Sequence, residues 1–329
     1  MLTHEFSVED LALTRFAISP MWELMSAVRT LHDPARGAHH LPWIREAMPI
    51  ARELGIERAL ALTPPTGYMP DFLTPPPSSP IVSFAAEMAL VRETPAAQVR
   101  KEVAIMINDR ASSAGGPVAE AFVEHPRREL ARLCDGLEAF WEAAVETHWP
   151  RVRAVLEADV RHRSGRLAEG GPALLFADLD PRVEWKPPML EIEMVYENSI
   201  PLEGRGLVIM PSAFESTRPV SISNAPWQPT LIYPTRGIAL LWEPGSDAGP
   251  DELAALIGRT RADMLVSLAS ARTTTELAEL LGLRAGGISH HLGVLARVGL
   301  VSRARSGRSV LYLRTPLAER LLSGEDRAP

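Results

Sequence analysis

Nine arginines, at 259, 261, 272, 284, 297, 303, 305, 308 and 314, fall between Gly258 and Thr315, against only three acids, Asp263, Glu276 and Glu279. That stretch carries a surplus of six positive charges, so the rest of the 329-residue chain must hold −13 to give the whole-chain −7. The whole-chain value alone argues against nucleic acid. Its distribution argues the other way, because a basic module can neutralise phosphates while an acidic body stays clear of them. Among these arginines stand Ser289 and His290, which can donate to base edges or phosphates, and Arg284 can pair with guanine or phosphate. Gly286 and Gly287 leave room for close approach.

Other chemistry finds less support. The chain has no G-x-S-x-G, G-x-x-x-x-G-K, G-x-G-x-x-G or H-E-x-x-H motif, so no enzyme activity, catalytic residue or cofactor is expected. His290 and His291 face different ways on a helix, with no nearby Cys or Asp to complete a metal site. His32, His39 and His40 lack the i, i+4 spacing of helical ligands, so no metal is expected there either. Cys134, the one cysteine, falls on a predicted apolar stripe and reads as a buried, inert thiol. Asp178 and Asp180 read as a turn before Pro181, and Glu191 and Glu193 as the solvated face of a strand.

The elements that must position the basic residues can be laid out from residue 252. Thr273 precedes Glu276 by three, the spacing of a reciprocal capping box, and Leu277, Leu280 and Leu281 follow at helical spacing. Gly282 suits the left-handed turn that stops a helix, and Leu283 is expected to pack under it. A second helix is predicted over 285–298, with Ile288, Leu292 and Leu295 inward and Ser289, His290 and Arg297 outward. Helix, short glycine turn and helix together let the second helix lie in a major groove. Leu300 and Val301 open a strand, Ser306-Gly307 is a tight turn, and Arg308 to Leu313 returns. The resulting hairpin, residues 302–313, would bring Arg303, Arg305 and Arg308 to DNA backbone or minor groove.

Residues 258–315 resemble the ArsR-type winged-helix regulators. The matching text is Gly258-Arg-Thr-Arg261, Thr274-Thr-Glu-Leu-Ala278, Gly282-Leu283, Ile288-Ser-His-His-Leu292, Leu295, Gly299-Leu-Val301 and Gly307-Arg308 with Tyr312. The resemblance implies a homodimer on a palindromic operator in double-stranded DNA, usually as a repressor. It also implies Ser289 and His290 at the DNA with His291 beside them, and adds Thr274 and Thr275 to the contact set. This chain departs from the family in having Arg284 where a Ser or Thr cap is common, and in the two helix-weakening glycines. The helix from Thr274 to Leu281 has none of the cysteines through which many relatives sense metals.

Residues 1–245 read differently. Residues 6–170 are mainly helical, with helices predicted near 20–31, 41–53, 81–91 and 95–107, the last capped by Thr94 ahead of Pro95. Leu130, Leu133, Leu137, Phe140, Trp141 and Ala144 mark another helix, interrupted near Pro150, after which a further one runs to Gly170-Gly171-Pro172. Seven prolines make 63–80 an irregular loop. Strands are predicted at Leu190–Tyr196, Gly206–Met210, Val220–Ser223, Leu231–Tyr233 and Ile238–Trp242, forming a small sheet. Glu243–Pro250 is the best linker. The expected class is α+β: a mainly helical N-terminal domain with a small β-sheet over 1–245, then a C-terminal winged helix-turn-helix over 251–323. The upstream region also resembles an uncharacterised domain found ahead of this module in some regulators, through Ser19-Pro-Met-Trp22, His40-Leu-Pro-Trp43, Tyr68-Met-Pro-Asp-Phe-Leu73 and Trp227-Gln-Pro-Thr-Leu231. That resemblance implies no activity. All seven tryptophans lie in this region. Most must be core, and some can line a pocket for a small-molecule effector, the alternative to a purely dimerising role; a further alternative is an enzyme fused to a DNA-binding module. No apolar run approaches a membrane span and Met1–Asp10 has no export signature, so a cytoplasmic location is the simplest expectation.

Overall fold

A serine and a proline start the most buried helix of the chain. In the computed structural model, Ser19 accepts the Trp22 N–H and Pro20 occupies the first turn of the helix Pro20–His32, whose residues from Pro20 to Val28 are all buried. The structure describes residues 1–34, 37–109, 116–194, 197–215, 218–224, 226–242, 250–306 and 309–323. It separates into two units, Met1–Trp242 and Glu243–Pro329. Residues 243–249 of the linker lie outside the described residues.

Around the buried helix the first unit packs the helices Leu41–Leu54, Glu57–Leu62, Phe84–Arg92, Ala96–Asn108, Pro117–Glu124 and Pro126–Phe140, then Trp149–Phe176. The Leu130, Leu133, Leu137 and Phe140 stripe is buried as its spacing requires. Trp141–Val145 forms a short π-helical segment between the last two helices. Pro150 sits in the first turn of Trp149–Phe176, and that helix breaks where Gly170 and Gly171 leave helical backbone angles. Thr94 does not cap the helix Ala96–Asn108. Pro95 stands at the cap without a side-chain bond, and the Thr94 hydroxyl donates backward to Leu90 O.

Two four-stranded sheets replace the expected single one. One runs in the order Val183–Lys186, Met189–Ile192, Leu2–Glu5, Asn198–Ser199; the other runs Arg15–Phe16, Val208–Ser212, Thr230–Pro234, Val220–Ile222. Tyr196, in a predicted strand, lies outside the described residues. The run Ile238–Trp242 is not a strand: Ile238–Leu240 is a turn of 3-10 helix entered through Gly237 at φ 81°. Leu241 is fully buried, which accounts for the apolar run without a sheet partner. A second apolar cluster joins Leu175, Phe176 and Leu179 at the end of the long helix to Leu2, Leu190, Ile192, Leu231 and Tyr233 of both sheets.

Buried polar groups tie the helices to the sheets. Glu23 accepts the Ala213 and Phe214 N–H groups at 3.0 and 3.1 Å on one carboxylate oxygen. Glu87 accepts from Met21 N at 2.8 Å and Ser19 Oγ at 3.0 Å. Tyr233 donates to Asp159 at 2.6 Å, and Asp159 also faces the buried Arg163 at 3.7 Å. Asp178 pairs with that same Arg163, and Asp180 accepts the Arg182 N–H. Glu191 pairs with Lys186 at 2.8 Å across the solvated face of its sheet.

The second unit holds the helices Pro250–Ile257, Arg259–Ser267, Thr274–Leu281, Ala285–Arg297 and Pro316–Ser323, and a hairpin of Val301–Ser306 with Ser309–Arg314. Arg272–Thr273 adds a third strand to the hairpin. Leu265, Leu268, Leu277, Ile288, Leu292, Leu295 and Ala318 form its core. Leu283 does not pack under the turn; it is 44% exposed.

Candidate nucleic-acid interface

The turn between the two central helices is fixed by local chemistry. Thr273 accepts the Glu276 N–H and Glu276 accepts the Thr273 N–H at 2.7 Å, so both halves of the capping box are made. The same backbone bond holds the Glu276 carboxyl below its ordinary range. Thr273 also pairs with Leu311 in the hairpin, so the cap that starts one helix anchors the strand beside it. Gly282, at φ 65°, stops the helix in the left-handed region, and Leu283 N then donates to Ala278 O.

The second helix, Ala285–Arg297, starts differently. Arg284 sits at its cap in extended conformation without a side-chain hydrogen bond, and Val298 closes the far end. An uncapped first turn leaves positive N–H groups open to an anion. A Cβ at Gly286 or Gly287 would meet nothing within 4 Å, so both positions border open space. Ile288, Leu292 and Leu295 are buried, while Arg284, Ser289, His290 and Arg297 are exposed. His291 is half-buried. Its Nδ1 has no partner among the described residues, and burial followed by the Arg261 charge holds its pKa low. Thr274 is half-buried and Thr275 exposed in the first turn of the preceding helix.

Arg303 and Arg305 are exposed on the first hairpin strand, opposite Tyr312 and Val310. Two residues apart on one strand, they share a face. Arg308 and Gly307 lie outside the described residues.

The structure divides the arginines in a way that residue counts do not. Arg261 donates to Ile257 O at 2.9 Å and Arg272 to Ser267 O at 2.9 Å, while Arg314 pairs with Glu319 at 3.5 Å. These three hold the unit together. Arg284, Arg297, Arg303 and Arg305 have no hydrogen bond or ion pair from their side chains among the described residues.

The alternative candidates resolve in bland ways. Cys134 is fully buried and its thiol is pushed up to about 11, chiefly by burial, so little thiolate exists near neutrality. His32 meets Leu60 O, His39 is exposed, and His40 is buried against Ala213 O and Trp242. Among the described residues no group of three or more metal-ligating side chains gathers, and no helix is long and apolar enough to cross a membrane. Trp22, Trp43 and Trp141 are core residues.

Residues 256–303 match a family described as a helix-turn-helix domain, and residues 79–239 match a family of unknown function, DUF5937. No curated protein and no solved structure matches the chain. Local geometry and the first match agree on the class of the C-terminal unit, a helix-turn-helix of the kind found in DNA-binding transcription regulators. The second match carries no activity for the N-terminal unit.

Proposed function

We propose that the chain is a transcription regulator that binds double-stranded DNA through residues 251–323. The observation that carries this reading is the set of four exposed arginines without side-chain partners among the described residues, distributed over the second helix of a helix-turn-helix and the adjoining hairpin. The helix Ala285–Arg297 lies in the major groove, with Ser289 and His290 toward base edges and Arg284, Gly286 and Gly287 close to the backbone. Thr274, Thr275, His291 and Arg297 border that groove. The hairpin acts as a wing, with Arg303, Arg305 and Arg308 on flanking backbone or minor groove.

A homodimer fits the exposed apolar side chains of this unit. Leu256, Leu317 and Leu321 are 79, 41 and 43% exposed on the two helices, Pro250–Ile257 and Pro316–Ser323, that pack on each other. A second copy would cover them, and a two-fold dimer reads a two-fold site. Repression follows if that operator overlaps a promoter. Selection from a random duplex library by the full chain should enrich a two-fold-symmetric sequence with half-sites about one helical turn apart. Enrichment of an asymmetric sequence, or of none, contradicts the dimeric docking.

A second reading, a sensor in which the N-terminal unit binds a small molecule and alters DNA affinity, is favoured by a large cavity in Met1–Trp242.

A further inference from the structure

The helix Pro20–His32, the proline-rich loop after residue 63, and residues 214, 215 and 218–224, with Asp109, Met194, Asn198 and Ile200, line a cavity of about 1060 Å³ within the first unit. Pockets for drug-sized molecules run to roughly 300–1,000 Å³, so this one has room for such an occupant. Its walls combine an apolar surface with a fixed polar corner. Trp22, Met69, Phe214, Val220 and Ile222 supply the apolar part. Asp71, 7% exposed, supplies the corner, with one carboxylate oxygen accepting from Tyr68 Oη at 3.0 Å and from Asn224 Nδ2 at 3.0 Å. Burial pushes its carboxyl up to about 6.

Two more lining side chains hold buried polar atoms without partners among the described residues. They are the indole N–H of Trp22, which is 3% exposed, and Oγ1 of Thr74, which is 2% exposed. A buried donor left unmade is costly, and an occupant bringing an acceptor removes that cost. The described lining residues include four acids, Asp33, Asp71, Asp109 and Glu215, against two arginines, Arg29 and Arg218. That balance disfavours an anion. Phe214 stacks on His40 at 4.4 Å, and His40 Nδ1 accepts from Trp242 Nε1 at 2.9 Å. Trp242 is the last described residue before 243–249.

We propose that this cavity is a binding site for a ring-bearing, largely apolar organic molecule, neutral or carrying an amine, with a hydrogen-bond acceptor near Trp22 and its donor or cationic end toward Asp71. The assignment deepens the sensor reading and rests on it for its biological role. Its test uses the full chain and two dyes, Nile red as the neutral probe and rhodamine 6G as the cationic one, titrated by fluorescence without DNA. Saturable binding of one dye per chain is expected. Asp71→Asn, which keeps the side-chain shape, should weaken rhodamine 6G about tenfold and leave Nile red little changed. Val220→Trp and, separately, Met69→Trp each narrow the cavity at one wall and should weaken both dyes about tenfold in chains whose circular dichroism is unchanged. Absence of saturable binding, or binding indifferent to all three substitutions, overturns the site. A parallel titration on the selected duplex keeps the readings apart. Dye binding without any effect on DNA affinity retains the site and removes the gate. Intact DNA binding with no dye binding removes the site alone.

Discussion

Alanine at Arg284, Arg297, Arg303 and Arg305 together is expected to weaken duplex binding by at least about a thousandfold near physiological salt. Each arginine contact with base or phosphate is worth roughly 1–3 kcal/mol, so even the lower end sums to about 4 kcal/mol, or three decades, on each half-site of the dimer. The salt dependence separates this effect from a folding defect. Each lost phosphate contact removes about 0.9 from the slope of log K against log salt, so the slope should fall by up to roughly 3 to 4 for each half-site, or about 7 for the dimer. The internal arginines provide the contrast. Arg272→Ala removes the bond to Ser267 O and should lower the thermal stability of the unit, with the salt slope of the folded fraction preserved. Filter binding or fluorescence anisotropy at several salt concentrations measures both quantities. An unaltered slope in the fourfold variant would mean that these arginines do not meet phosphate.

The second large effect lies in the N-terminal unit. Acidification from about pH 8 to pH 5 is expected to stabilise it, against the usual trend for carboxylates held in ion pairs. Glu23 and Glu87 are 1% exposed and each is raised from 4.5 to about 7, foremost by burial. Between those values the folded chain holds a proton that the unfolded chain has released, so stability must fall as pH rises. The contribution is fully present below about pH 4.5 and lost as pH climbs through about 7. A shift of that size corresponds to about 3 kcal/mol for each group. Glu23→Gln should flatten this dependence, because a glutamine oxygen can still accept from both Ala213 and Phe214. Glu87→Gln should do the same. Glu129, held low by Arg58, acts in the opposite sense only at more acidic pH. His40, pushed down to about 4 chiefly by burial, opposes the carboxyls between about pH 6.5 and 4, and His4 and His32 act in the same sense as His40, so the stabilisation is clearest between about pH 8 and 6.5. Denaturant midpoints from pH 5 to 8 test the sign, and a midpoint that rises with pH in both wild type and variants contradicts the assignment.

The helix-turn-helix was legible because its signals are local. Thr273 and Glu276 are three residues apart, Gly282 follows the helix it stops, and Ile288, Leu292 and Leu295 repeat at helical spacing. The N-terminal sheets were not, because their partners are remote. Leu2–Glu5 pairs with Met189–Ile192, and the two-residue strand Arg15–Phe16 pairs with Val208–Ile209. No local periodicity reveals such pairing. Ile238–Trp242 misled for a related reason: an apolar run that short fits a strand or a buried turn equally well.

The cavity was hidden by the same non-locality, since its wall comes from five separated stretches of chain. The loop 63–80 reads as irregular, which it is, but much of it is buried: Phe72 and Leu73 are fully inside and Glu102 accepts the Phe72 N–H at 2.7 Å. Prolines make that burial tolerable, because each removes one backbone donor that would otherwise need a partner. The arginines differ again. Composition located the basic module, but only the coordinates separate the three that brace it from the four exposed ones.

Tethered cleavage measures most directly whether the second helix and the hairpin grip one duplex. Cys134 is buried with a raised thiol, so a cysteine placed by His290→Cys or Arg305→Cys can be labelled selectively with an iron chelate. On the selected duplex, the chelate at 290 should cut within the major groove of each half-site. From 305 the cuts should move outward by about half a helical turn, roughly 5 base pairs. Identical patterns from the two positions, or no cutting from 290 while binding persists, would contradict the docking.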